Sequence, residues 1–251
     1  MGMYQGVNAS EGIGIGTVMV AVDPDLTFEP HEVADSAAEK ERYQSALSVF
    51  CEKTQAQADH MKETVGEAEA EIIEVTQCAA EPTVSVRVLC GLPKGDKTDY
   101  IIQKCVEAGA HEICFFRSER VVQRTESVTK KIERWNRISE EAAKQSGRGI
   151  IPEVRWLDTY VEALDAAKQQ EAAFFMYETG EREGLRSALK GTEKLGSAAI
   201  ITGPEGGFEP YEADMARKLG MHICSMGERI LRCETAPIVA LTALMYGTGN
   251  L

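Results

Sequence analysis

Apolar residues in this chain fall into short runs set apart by glycine, proline and charge, and the spacing of those runs changes along its length. Residues 12–22, GIGIGTVMVAV, read as a glycine-rich turn running into a strand of β-branched residues. Asp23-Pro24-Asp25 breaks that strand. Beyond it, Asp35 or Ser36 supplies an N-cap, with Glu39 in the first turn. Tyr43, Leu47, Phe50, Thr54 and Met61 recur at helical spacing, and residues 36–74 hold no proline and one glycine, Gly66. The pattern predicts a long acidic amphipathic helix over 36–74, or two helices broken at Gly66.

Glu81-Pro82 marks a boundary, and the spacing then changes. Residues 83–89 read as a strand, residues 93–96 as a turn, and residues 97–109 as a helix closed by Gly109. Residues 111–117 form another short apolar strand, and residues 127–147 a helix ending at Gly147. Two more apolar runs, 174–177 and 198–202, have the length and flanks of buried parallel strands. Residues 210–219 and 234–247 are helical. Strands alternating with helices predict an α/β domain with a mostly parallel sheet.

Charge sharpens the division. The chain has 251 residues and a net charge of -13, which argues against a nucleic-acid ligand if it is spread evenly. It is not spread evenly. Residues 1–74 hold 15 acidic and 4 basic side chains, a net of -11, which leaves 25 acidic and 23 basic residues, a net of -2, for the rest. A near-neutral remainder can still carry a local basic patch. The seven cysteines are scattered and none form a C-x-x-C pair, so neither a zinc site nor a disulfide framework is expected. No apolar run is long enough to span a membrane, and no basic segment followed by an apolar stretch opens the chain. A reduced, cytoplasmic setting is the simplest expectation.

Three stretches carry candidate chemistry. Ile201-Thr202-Gly203-Pro204-Glu205-Gly206-Gly207-Phe208 follows an apolar strand and precedes a helix. Its glycines let the backbone turn tightly and approach a ligand, at the end of a strand where open α/β folds bind ligands. It has neither the Gly-Lys-Ser/Thr of a Walker loop nor G-x-G-x-x-G spacing, and taken alone it is as readily an ordinary strand–helix turn. Gly227-Glu228-Arg229-Ile230-Leu231-Arg232-Cys233-Glu234-Thr235-Ala236-Pro237 leads through two arginines into a helix entered near Glu234 and Thr235, where first-turn N–H groups are open. There Glu234 also simply complements the helix dipole. On the helix over 127–147, Arg134, Arg137, Glu141, Lys144 and Gln145 share a broad face, with Arg148 just beyond. That face can hold phosphates, or be a solvated surface with pairs such as Arg137–Glu141.

In this order the three stretches resemble the RsmE family of 16S ribosomal RNA uridine-N3 methyltransferases. Leu92-Pro93-Lys94-Gly95-Asp96-Lys97, Gln103-Lys104, Ser118-Glu119-Arg120 and Met176-Tyr177-Glu178 match as well, so the resemblance spans roughly residues 74–251. It implies a trefoil-knotted SPOUT methyltransferase domain over 75–251, a homodimer, and S-adenosylmethionine bound in the knot. The implied cofactor residues are Met176, Tyr177 and Glu178; Thr202, Gly203, Pro204, Glu205, Gly206 and Gly207; Ser225, Met226 and Gly227; and Ile230, Leu231, Arg232, Glu234, Thr235 and Ala236. The implied partner is 16S ribosomal RNA in the small ribosomal subunit, with Lys94, Arg120, Arg134, Arg137 and Arg148 as expected RNA contacts. Arg232 is the candidate for stabilising charge on the uracil or gripping a phosphate. Glu205, the one carboxylate inside the glycine loop, is a candidate base, although it can equally hold the loop by accepting backbone N–H groups. No metal is implied. Ile238, Leu241, Leu244 and Met245, at helical spacing, are the expected dimer stripe.

The RsmE proteins begin with a small PUA-like β-barrel that helps hold RNA, and no such barrel is legible here. Residues 4–74 instead resemble the start of enzyme I of the bacterial sugar phosphotransferase system. The matching stretches are residues 6–16, Ala38-Glu39-Lys40-Glu41-Arg42-Tyr43, and residues 66–74. That resemblance implies a strand and a helix. The active histidine of enzyme I sits in a Gly-Gly-Thr-Ser-His context, and His31, His60, His111 and His222 do not. The chain therefore reads as a chimera in which a strand plus a long acidic helix over 1–74 replaces the barrel.

Overall fold

The computed structural model describes residues 2–5, 15–23, 69–120 and 128–251. The helix expected over 36–68, His31 and His60 lie outside the described residues. Two compact units emerge, one of residues 1–81 with 143–151, the other of residues 82–142 with 152–251.

In the first unit, β1 (Gly2–Gln5), β2 (Ile15–Asp23) and β3 (Glu69–Gln77) form an antiparallel sheet in the order β1-β2-β3. β2 is the strand expected over 12–22. β3 corrects the helix expected to run through residue 74. Ile72, Ile73, Val75 and Thr76 are β-branched, and pairing against β2 suits them better than a helix does. The same unit holds a buried ion pair. The side chain of Arg148 is 3% exposed, and its Nη2 donates to Glu81 Oε2 at 2.7 Å. Glu81 Oε1 also accepts the N–H of Gly149 at 2.9 Å. Arg148 was expected to contact RNA. Its guanidinium is instead committed to a carboxylate inside the protein, and that expectation is withdrawn.

The second unit is built on a seven-stranded sheet. Its strands are β4 (Ser85–Gly91), β5 (Glu112–Phe116), β6 (Glu153–Leu157), β7 (Ala172–Met176), β8 (Glu183–Gly184), β9 (Ser197–Thr202) and β10 (His222–Ser225), in the order β6-β5-β4-β9-β7-β10-β8. Every pairing is parallel. The central strands are buried on both faces, which explains their unbroken apolar runs. β9 lies between β4 and β7, and β10 between β7 and β8, so the last two strands fill slots flanked by earlier ones.

Helices cover both faces. These are α1 (Lys97–Glu107), α2 (Val128–Ser146), α3 (Tyr160–Lys168), α4 (Leu185–Ala188), α5 (Pro210–Lys218) and α6 (Ala236–Gly247). On one face, Leu89, Phe116, Phe175, Ile201 and Phe208 pack with Tyr160, Ala163 and Leu164 of α3 and Ala213 and Ala216 of α5. α1 packs against α6, and α6 against β4 and β9. Phe115 meets Trp135 of α2 with ring centroids 4.9 Å apart. Leu241, Leu244 and Met245 of α6 are buried, so most of the stripe expected to join two subunits serves the core of one. The large apolar residues of α6 left exposed are Val239 and Tyr246.

β6 and α3 were not legible in the sequence. β6 has one buried residue, Val154, in a polar alternation, as suits an edge strand. The start of α3 did leave a signal. Thr159 accepts the N–H of Glu162 at 3.1 Å, and Glu162 accepts that of Asp158 at 2.9 Å. That is the Thr-x-x-Glu pattern of a helix start.

Glu81→Ala removes the carboxylate that Arg148 Nη2 and the Gly149 N–H share inside the protein, a change that costs about 3–5 kcal/mol at buried pairs. Urea unfolding of the variant is expected to show a loss on this scale. A loss under about 1 kcal/mol would mean that the pair contributes no more than an exposed one.

Candidate functional site

β9, β7 and β10 are neighbours, they run parallel, and their carboxyl ends lie at one edge of the sheet. The loops that leave them line a single cleft of about 340 Å³. Met176, Tyr177 and Glu178 come from the end of β7, and residues 202–205 and Gly207 from the end of β9. Cys224, Ser225, Met226 and Gly227 come from the end of β10, followed by residues 229–233 and by Ala236 at the start of α6. Lys97, from the first turn of α1, completes the wall. The main-chain N–H of Tyr177 donates to the carbonyl of Cys224 at 2.8 Å, which extends the β7–β10 pairing to the cleft itself.

Glycine is required here for two different reasons. Gly207 has a φ of +66°, and a Cβ on it would lie 2.5 Å from Glu178 Oε1. Gly91, at the end of β4, has an ordinary φ. A Cβ there would come within 2.5 Å of Pro204 Cδ and 2.7 Å of Pro204 N. The glycine loop therefore rests directly on the backbone of the neighbouring strand.

The charges are arranged in pairs. Lys97 Nζ donates to Glu205 Oε1 at 3.0 Å and to Cys233 Sγ at 3.5 Å, and lies 3.2 Å from Glu234 Oε2. Glu205 Oε1 also accepts the N–H of Lys94 at 2.9 Å. Burial pulls the Glu205 carboxyl up, but the Lys94 N–H and the Lys97 ammonium outweigh it and hold the group below the usual carboxylate range. Glu205 is therefore a poor base and a firm tie for its loop, the second of the two roles open to it in the sequence. Burial, aided by the hydrogen bond to Glu234, pushes the Cys233 thiol up to about 12, so it is neutral at physiological pH and is no thiolate nucleophile. Arg232 is 82% exposed, with Glu234 Oε1 at 4.0 Å. Among the described residues no group of three His, Cys, Asp or Glu is placed to hold a metal ion.

Residues 80–245 match the family model described as an RNA methyltransferase domain. The chain is 37% identical over 183 residues to ribosomal RNA small subunit methyltransferase E of Bacillus subtilis, across 70% of this chain and 72% of that protein. The chain belongs to this family. It is 35% identical to the same-named protein of Mesomycoplasma hyopneumoniae, across 69% of this chain and 74% of that one. The solved structure of ribosomal RNA small subunit methyltransferase E from Neisseria gonorrhoeae, bound to S-adenosyl methionine, is similar with a TM-score of 0.63 and 30% identity, over 72% of this chain and 73% of that one. Residues 5–84 match a different model, the N-terminal region of PEP-utilising enzymes. The two matches meet at residues 80–84, so the family resemblance stops where the charge and the hydrophobic spacing change.

Of the cofactor residues that the family motifs imply, all but Gly206, Glu234 and Thr235 line the cleft. A Cβ on Gly206 would face the side chain of Arg120 instead, at 3.0 Å. Thr235 is the N-cap of α6, and Glu234 faces Lys97. The sequence reading missed Lys97, Cys224, Arg229 and Cys233 as lining residues, and Gly91 as the support of the loop. Lys97 was in view as part of the Lys94–Lys97 motif. Nothing in its spacing says that it reaches residues more than a hundred positions away.

The expected RNA contacts are in varied settings. Lys94 and Arg137 are exposed. Arg134 is 58% exposed and pairs with Asp99 of α1. Arg120 donates to Glu209 Oε1 at 2.6 Å and to the carbonyl of Gly206 at 2.7 Å, so it braces the glycine loop.

Gly91→Ala is expected to lower stability by about 1–3 kcal/mol by overpacking, since the obstructing atoms belong to backbone and a proline ring. Gly95→Ala, with a φ of +67° and nothing within 4 Å, carries backbone strain alone and is the control. Denaturant titration decides it. Unchanged stability in Gly91→Ala would show that the strand and the loop are not in contact.

Proposed function

We propose that this chain transfers the methyl group of S-adenosylmethionine to N3 of a uridine in 16S ribosomal RNA of the small subunit, in the cytoplasm. One observation carries the reading. Three motifs, far apart in sequence, supply the loops of three neighbouring strands and meet in one cleft. The cleft suits a nucleoside carrying an amino-acid tail. It is of ligand size, Gly203 and Gly207 line it without side chains and let the loop pack closely on Phe208 and Glu178, and Met176, Met226 and Leu231 offer apolar contact for a flat base. Glu178 offers a carboxylate for hydroxyl or ammonium groups.

The strand order also favours the trefoil knot, because β9 and β10 enter between strands already laid down and the chain then returns through α6 to β4 and β9.

Bound S-adenosylmethionine supplies a methyl on a positively charged sulfur. The carbon–sulfur bond breaks as the carbon–nitrogen bond forms, the sulfonium charge is quenched, and the N3 proton leaves to solvent. The protein's part is orientation and charge. Arg232 is exposed at the cleft and held loosely, so it is free to face the uracil anion or a phosphate. Arg229 lines the same cleft. Glu205, tied to Lys97 and Lys94, keeps the glycine loop in place. RNA contacts are assigned to Lys94, Arg134 and Arg137. Arg120 serves RNA only insofar as it holds the loop.

The activity is expected to be weak on whole subunits. Affinity for RNA comes mostly from phosphate contacts. The barrel that helps hold RNA is replaced by a segment of net charge -11 (4 basic against 15 acidic residues over 1–74). The test is methyl transfer to small subunits lacking the modification, by this chain and by a variant with an RsmE barrel in place of residues 1–74. The barrel-bearing variant is expected to be faster. Arg232→Ala is expected to lower kcat by about a hundredfold in both backgrounds. Equal rates with and without the barrel would refute the view of the N-terminal segment. Calorimetry showing no binding of S-adenosylmethionine would refute the function.

The homodimer is proposed on a different surface from the buried stripe. Val239 and Tyr246 lie two turns apart on one side of α6 and are 39% and 77% exposed, and Ile230 at the cleft is 83% exposed. A second copy of the chain is the occupant that the family resemblance implies. Light scattering is expected to give twice the chain mass, with Tyr246→Glu shifting it to the monomer. A monomer mass for the unaltered chain at micromolar concentration rules the dimer out.

A further inference from the structure

We infer that Lys97 is a positioning residue for the cleft: its ammonium clamps the glycine loop after β9 to the turn before α6, and so fixes the separation of two walls between which the cofactor binds. This rests on the reading that the cleft takes S-adenosylmethionine.

The geometry is a three-way contact from a single atom. Lys97 Nζ is 3.0 Å from Glu205 Oε1, 3.2 Å from Glu234 Oε2 and 3.5 Å from Cys233 Sγ. Glu205 belongs to the loop after β9, and Cys233 and Glu234 to the turn that opens α6. Both segments line the cleft or flank a residue that does. Lys97 is in the first turn of α1, and α1 packs against the body of α6, so its backbone is held by a helix and not by the ion contacts alone. Lys94 ties the same region to Glu205 a second time, through its N–H.

The charges show why a lysine is needed. Glu205 and Glu234 converge on one point. Without the ammonium they would repel each other across a half-buried contact; Arg232, 4.0 Å from Glu234, is too distant to replace it, and what stays close is neutral donors, the Lys94 N–H at Glu205 and the Cys233 thiol at Glu234. The neighbouring Cys233 thiol carries no charge that could offset them. Both carboxyls are held below the ordinary range although burial alone would raise them, in part because Lys97 donates to each. Mutual repulsion would push the two loops apart and widen the cleft. Lys97 thus acts on the ligand through the loops and not by touching the reacting atoms.

The test compares the full chain with Lys97→Met, which keeps length and loses charge, and with Lys97→Arg, which keeps charge. Calorimetry with S-adenosylmethionine is expected to show affinity about tenfold weaker in Lys97→Met and within about threefold of the unaltered chain in Lys97→Arg. A second readout needs no cofactor. NMR titration of the Glu205 and Glu234 carboxyls in the unaltered chain is expected to give midpoints below about 4.3, the ordinary glutamate value. Both midpoints should rise in Lys97→Met and stay low in Lys97→Arg, a split that a merely structural lysine would not produce. Unchanged affinity in Lys97→Met overturns the inference, as does equal weakening in the Arg variant. Should Lys97→Met not fold, ordinary midpoints in the unaltered chain overturn it and depressed ones sustain it. If the unaltered chain binds no cofactor, the proposed function fails while the titrations still decide the clamp.

Discussion

The architecture of the cleft depends on one close backbone approach. Gly91 ends β4 without a side chain, and Pro204 of the neighbouring loop lies where that side chain would be. Because the two backbones touch, the loop leaving β9 folds over the end of β4. Glu205 is thereby brought to the turn that follows β4, within reach of the Lys94 N–H and Lys97 Nζ. A methyl group at residue 91 would lift the loop, and the distances at Glu205 would lengthen with it. The ion contacts of the cleft are thus consequences of a packing constraint.

Three carboxylates, Glu178, Glu205 and Glu234, lie in or beside a cleft proposed to take a cationic ligand, and they are not equivalent. Glu205 and Glu234 are engaged by Lys97. Glu178 lies outside that clamp, with its carboxylate against Gly207, where a Cβ would come within 2.5 Å. Two of the three are thus tied into the walls of the site, and Glu178 is the one proposed for the ligand. The exposed arginines at the mouth are the reverse case. Arg232 is distant enough from Glu234 to be recruited by a substrate, which the charge-stabilising role proposed for it requires if it is to act on the transition state more than on the free enzyme. The neutral thiol of Cys233 fits the same picture, because a thiolate beside a reactive methyl donor would compete for the methyl group.

Much of this was legible in the sequence, for physical reasons that also explain what was missed. Buried parallel strands such as Ala172–Met176 and Ser197–Thr202 betray themselves because both faces must be apolar. β6 escaped because an edge strand keeps polar residues. β3 was mistaken for the end of a helix because its acidic residues continue the composition of the segment before it, whereas the pairing with β2 that decides the matter is not local. The loops of the cleft were found through their motifs. Lys97 and Gly91 were not, since a contact across more than a hundred residues has no periodicity to announce it. Arg148 failed in the opposite sense. It stood beside a basic helix face and read as part of it, yet the carboxylate that buries it is Glu81, at the far end of a long stretch of chain.

The seam near residues 80–84 separates a part of the chain that matches an RNA methyltransferase domain from one that matches the N-terminal region of PEP-utilising enzymes. Methyl transfer needs only the cleft, and every loop of that cleft lies C-terminal to the seam. Holding RNA needs positive charge spread over many phosphates, and the segment before the seam brings a strong negative charge in its place. Repulsion of this kind is long-ranged only in dilute salt and is screened beyond about 8 Å at physiological ionic strength. The cost proposed for the acidic segment is therefore one of encounter and residence on RNA. Raising the salt would relieve that repulsion, but it would also weaken the attraction for phosphate proposed for Lys94, Arg134 and Arg137. Replacing the segment changes the first term without touching the second. An exchange of residues 1–74 separates the two contributions, which no change of solvent can do.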